Sequence, residues 1–93
     1  MAHDYMLKVG SVVRLNSQVT GIYKCDTWKT GLYKVVYIRA GFGTPRSQVE
    51  DVRYQHYGFR KIRKDGTEYK TFRNGYSVLA FEAMIREGKV TVL

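Results

Sequence analysis

Short runs of β-branched and aromatic residues alternate with glycine along this chain, and one stretch near the C-terminus breaks that rhythm. Nine glycines, from Gly10 to Gly88, punctuate it. Runs bounded in this way read as strands of a small antiparallel sheet. On this pattern residues 12–16 form a first strand, 22–28 a second and 32–39 a third, with Gly31 at the turn between the last two. The third, LYKVVYIR, carries the strongest strand signal, being β-branched at its centre and aromatic on both sides. Residues 41–48, GFGTPRSQ, gather glycine, proline, threonine and serine, and are expected to be a loop. Strand character resumes over 49–54, and residues 57–73 form a hairpin turning on Asp65 and Gly66, both of which tolerate positive φ.

The period changes at residue 77. SVLAFEAMIRE, residues 77–87, consists of helix formers, sets Val78, Phe81 and Ile85 on one face, and spaces Glu82 from Arg86 for an i,i+4 ion pair. Asn74 or Ser77 can cap its start and Gly88 can end it. KVTVL, residues 89–93, is then a last short strand, with an edge that could extend the sheet to a second copy. The expected fold is α+β and mostly β: a small antiparallel sheet or an SH3-like barrel, with one C-terminal helix plugging an open end and a final short strand. A chain of 93 residues holds one modest core, so residues 1–93 are read as one domain, with 1–8 a flexible N-terminus.

KVGSVVRL at residues 8–15, followed by TGIYK and GLYKVVYI, is similar to the opening of SH3-like small barrels of the KOW and Tudor type. The resemblance covers the first third to half of the chain; the basic hairpin and the helix-strand tail are not part of a minimal barrel. KOW-type barrels are used on RNA, DNA, ribosomes and RNA polymerase, so the resemblance implies a nucleic acid or a protein as partner.

Charge narrows the field. Sixteen Lys and Arg against eight Asp and Glu give a net charge of +8, and the pI is near 9.8. A domain this basic has the electrostatic footprint of a nucleic-acid binder. No apolar run is long enough for a membrane helix, and MAHDYMLKVG has neither the basic nor the apolar region of a secretory signal. Cys25 stands alone and cannot form an internal disulfide, which fits a reducing compartment. These features lead to the expectation of a cytoplasmic protein with no membrane partner.

Chemistry has little to work with. His3, Cys25 and His56 are far apart in sequence, whereas a zinc site needs three or four ligands, so neither a metal nor another cofactor is expected. His56 is the one credible imidazole base, without an evident nucleophile and orienting group around it. Glu50 and Asp51 are adjacent and, on a strand, point to opposite faces. No catalytic residue is assigned and the protein is not expected to be an enzyme. The one enzymatic alternative is a motif-poor small ribonuclease, of the kind that uses Arg, Lys, Tyr and a carboxylate on an SH3-like barrel.

The hairpin is the leading candidate for contact. Over residues 57–73 it holds Arg60, Lys61, Arg63, Lys64, Lys70 and Arg73 against Asp65 and Glu68, with aromatic residues between them. A two-residue turn pairs Ile62 with Tyr69 and Lys61 with Lys70, and makes the face with Arg60, Ile62, Lys64, Thr67 and Tyr69 the core face. A three-residue turn with a bulge instead slips the register and brings Glu68 opposite Ile62. Either way, interleaved cations and rings suit phosphates and unpaired bases. The expected nucleic-acid-binding residues are Arg53, Tyr57, Arg60, Lys61, Arg63, Lys64, Lys70 and Arg73, with Phe42 and Arg46 from the 41–48 loop. Trp28 is expected in the core. The expected function is a small basic nucleic-acid-binding module, for DNA or RNA, in an accessory or regulatory role such as a phage protein plays. The alternative is a protein-interaction module whose basic patch meets an acidic partner such as a polymerase or nuclease.

Overall fold

The structure is a computed structural model that describes residues 3–20, 27–70 and 73–93. Cys25, most of the expected second strand, Phe72 and the side chain of Arg73 lie outside the described residues. In chain order the strands are β1 (Val12–Leu15), β2 (Val19–Thr20), β3 (Thr27–Trp28), β4 (Gly31–Ala40), β5 (Gln55–Ile62), β6 (Arg73–Ser77) and β7 (Val90–Val92), with helix α1 (Val78–Arg86) between the last two. Five strands form one antiparallel sheet in the order β6-β5-β4-β1-β7, and β2 and β3 pair as a separate ribbon. The sheet is open, which decides between the two expected architectures: it does not close into a barrel.

Topology dictates where α1 goes. Each neighbouring pair in the sheet is antiparallel, so the two edge strands β6 and β7 run in the same direction. The segment joining them must therefore cross the whole sheet. Four strand spacings make about 19 Å; a helix of nine residues supplies about 13 Å of that, and the turn through Gly88 supplies the rest. The helix thus lies over a face of the sheet instead of plugging its end. Its start is capped as one of the two expected residues allows, by Ser77 Oγ accepting from the Ala80 N–H at 3.4 Å. Ser77→Ala is expected to lower stability by about 1 kcal/mol, read as a lower urea midpoint with an unchanged slope.

Beneath α1, Val78, Phe81 and Met84 meet an aromatic core of Trp28, Tyr33, Tyr57, Phe59 and Tyr76. Trp28 sits at the centre, its ring 5.3 Å from Tyr33 and 5.5 Å from both Phe59 and Tyr76, largely edge-on, the arrangement the ring quadrupoles favour. Two local expectations fail here. Residues 49–54 are not a strand: Asp51 accepts from the Arg53 N–H at 3.0 Å and starts a 3-10 turn over Val52–Tyr54, which delivers the chain into β5. Glu82 does not pair with Arg86, because it lies on the inner side of α1 and is 2% exposed. Its carboxylate accepts from Tyr57 Oη at 2.7 Å, from the Met6 N–H at 2.9 Å and from His3 Nε2 at 2.8 Å. Burial pushes the Glu82 pKa up, but these three donors outweigh it and hold the carboxyl below its ordinary value. Leu7 follows, buried, its N–H donating to Tyr57 Oη at 3.3 Å. The stretch expected to be a loose N-terminus is thereby laid against the core.

Candidate nucleic-acid interface

At the hairpin, the Arg63 N–H donates to the Thr67 carbonyl at 2.8 Å, the Tyr69 N–H to the Lys61 carbonyl at 2.9 Å, and Ile62 bridges Glu68. This is the three-residue turn, with Gly66 in the left-handed region at φ 91°. Lys61 consequently faces Tyr69 and not Lys70, which removes the like-charge opposition of the other register. The core face changes too. Tyr57 and Phe59 are fully buried, so the face of Phe59, and not that of Ile62, is the inner one. Tyr57 leaves the list of contact residues for the same reason: its ring is in the core and its hydroxyl is engaged by Glu82.

The hairpin's cations are dispersed. Lys61 is half-buried beyond the end of the core, with Nζ 5.8 Å from the Tyr33 ring centre. The Arg63 guanidinium stacks 4.1 Å over the Tyr69 ring and donates to the Glu68 carbonyl at 3.0 Å. Lys64 and Lys70 are exposed. Arg53 is held by Asp51, with Nη2 2.6 Å from Oδ2; the shared hydrogen bond lowers the pKa of Asp51 and raises that of Arg53. Arg60 is half-buried and pairs across the sheet with Lys34.

A second, more continuous surface lies on the face of the sheet away from α1, and it depends on one residue. Val35 pairs with Phe59 and Tyr37 with Gly58, so Val36 has no partner and forms a β-bulge. Strict alternation from Tyr33 and Val35 would send Tyr37 and Arg39 into the core. The extra residue reverses the phase. Ile38 packs on the core instead, while Tyr37 and Arg39 join Lys34 on the outer face. There the Tyr37 ring lies flat across β5 and β6: a Cβ on Gly58 would overlap its Cε2, Cζ and Cδ2, and one on Gly75 would lie 3.3 Å from its hydroxyl. The Arg39 guanidinium sits 4.0 Å over that ring. Arg14, exposed on β1 and paired with Leu32, extends the face by one strand.

The 41–48 loop stands at the end of this face. Gly41 packs against the ring of His56, the cross-strand partner of Arg39. A turn follows in which Thr44 N–H donates to the Gly41 carbonyl at 3.2 Å, with Gly43 left-handed at φ 86°. Phe42 occupies its corner and is 111% exposed, held clear of the body by a defined turn. Arg46 is exposed in the 3-10 turn that follows. Burial holds the His56 imidazole below its ordinary pKa.

Among the described residues, no carboxylate lies within ion-pair distance of Arg14, Arg39, Arg46, Lys64 or Lys70. Five of the eight acids, by contrast, have local partners: Asp51 with Arg53, Glu68 with Lys34 at 3.1 Å, Glu82 inside, Glu87 with Lys89 at 3.2 Å, and Asp65 with the Thr67 hydroxyl. An open cleft lined by His3, Glu50, Asp51 and Val52 has the opposite sign. No group of three metal-ligating side chains occurs among the described residues, and no described helix is long and apolar enough to cross a membrane.

Sequence reasoning thus named Phe42, Arg46 and Arg60 but missed Tyr37, Arg39, Lys34 and Arg14. One signal was available. An isolated glycine inside a strand pattern, as Gly58 is, marks a close approach by something; here that is Tyr37. Comparison with protein-family models, with curated proteins and with solved structures gives no match.

Proposed function

We propose that this chain is a small nucleic-acid-binding module. The observation that carries this reading is the set of outward cations without a carboxylate partner among the described residues: Arg14, Arg39 and Arg46, which share one open sheet face and its adjoining loop with Tyr37 and Phe42, and Lys64 and Lys70 at the hairpin. Several of the acids are held by local partners, which leaves these Lys and Arg residues as outward positive charge on a chain with a net charge of +8. Phosphates are the polyanion such a surface suits, and they are met in any sequence. The resemblance of the first part of the chain to KOW-type small barrels is compatible with this ligand class, as it is with a protein partner.

Counterion release tests the reading. If about five phosphates are neutralised, log K should fall against log salt with a slope of about −3.5 on a single strand and about −4.5 on a duplex. Fluorescence anisotropy with a single-stranded DNA, an RNA and a duplex DNA at three salt concentrations measures it. Negligible binding to all three at low salt overturns the proposal in favour of an acidic protein partner.

A further inference from the structure

The stack at the middle of the outer face has a geometry that plain phosphate binding does not need. Tyr37 is pressed on Gly58 from one side, and the Arg39 guanidinium covers its other side at 4.0 Å. What this pair presents to solvent is the planar guanidinium of Arg39, exposed and held over the ring. Such a plane is weakly hydrated and stacks on aromatic faces. Phe42 offers a second planar surface in the loop that follows β4, wholly exposed at a hydrogen-bonded turn.

Two planar groups held ready for stacking have no use on a duplex, where the base planes are already covered by their neighbours. They suit bases that have been splayed out of a helix. Arg14 and Arg60 lie further along the same face, beside Lys34, which Glu68 holds at 3.1 Å, so a backbone can run on from the stacked bases. The outer side of β5 from His56 to Ile62 measures about 20 Å at ~3.3 Å per residue, room for roughly four nucleotides, the lower end of site sizes for small β modules.

We infer that the ligand is an unpaired strand laid along β4 and β5 on the face away from α1, one base stacking on the Arg39–Tyr37 pair and another on Phe42. The inference rests on the nucleic-acid reading above and narrows it to single strands and to this face. The hairpin cations then add attraction without selecting the ligand.

The decisive variants are Arg39→Lys, which keeps the charge and loses the plane, Phe42→Ala, and Lys64→Ala with Lys70→Ala as a hairpin control. Arg39, Phe42, Lys64 and Lys70 are all exposed, and thermal unfolding verifies that each variant folds. Labelled oligonucleotides of about 12 nucleotides, as DNA, as RNA and as the DNA duplex, are titrated at three salt concentrations. The expected result is tighter binding of single strands than of duplex. Arg39→Lys and Phe42→Ala should each weaken single-strand binding about 5- to 100-fold, with the salt slope unchanged for both. The hairpin pair should lose less affinity and flatten the slope. Equal or tighter duplex binding, or an Arg39→Lys variant that binds as the parent does, overturns the inference and leaves the nucleic-acid reading standing. Absence of binding to every probe at low salt overturns both.

Discussion

Gly58→Ala is expected to destabilise the protein by about 3 kcal/mol, at the upper end for an overpacked site. A single methyl group does this because the ring of Tyr37 already occupies the space: the new Cβ would overlap Cε2, Cζ and Cδ2. These are atoms of a rigid ring, not the free end of a flexible chain, so the ring must lift off the sheet. For a domain of this size the loss corresponds to a fall in Tm of roughly 12–20 °C. The lifted ring takes Arg39 with it, so single-strand binding should weaken in parallel. A double-mutant cycle with Tyr37→Ala separates cause from coincidence. With the ring gone, alanine at residue 58 should cost far less than in the parent. If Gly58→Ala unfolds at the parent midpoint, the ring does not rest where the structure puts it.

The second large effect is at Glu82. Glu82→Ala should cost about 2–5 kcal/mol, on the order of 1–3 for each of two buried donors left without an acceptor. Tyr57 Oη, itself buried, and the Met6 N–H would both lose their acceptor. Glu82→Gln keeps an oxygen for those donors and should be milder. The pH dependence distinguishes charge from shape. The folded carboxyl is held below the ordinary 4.5 by its donors, against burial. Its contribution is therefore complete above that value and is lost as pH falls through the depressed folded pKa. Urea midpoints measured from pH 6 down to pH 3 should drop in the parent and drop less in Glu82→Gln; equal acid sensitivity in both would assign the effect to other carboxylates.

Local chemistry was legible where it decides structure by itself. The LYKVVYIR strand, the GFGTPRSQ loop, the Ser77 cap, the helix and the last strand all lie where period and punctuation put them. The hairpin was legible as a hairpin, but Asp65-Gly66 is compatible with two loop lengths, and which face is the inner one follows from the packing of Tyr57 and Phe59 in the core. That is a tertiary demand, and so were the other failures. Nothing local marks Glu82 as internal, because its partners Tyr57, Met6 and His3 are 25 to 79 residues away in sequence. The outer face was the hardest to read. Arg39 and Lys34 are an odd number of positions apart, which on a regular strand means opposite faces. Only the bulge brings them together, and its position follows from the pairing of β4 with β5.

Because a single unpartnered residue sets the phase of half a strand, the surface chemistry of this sheet depends on chain length as well as on content. Losing Val36 itself would close the bulge and leave Tyr37 opposite Gly58 and Ile38 opposite Tyr57, so the outer face would survive. Straightening the bulge with every residue kept would instead turn Ile38 outward and drive Tyr37 and Arg39 towards the aromatic core. In a lineage of such proteins, Val36 is thus a position at which one residue can be lost while the face is retained.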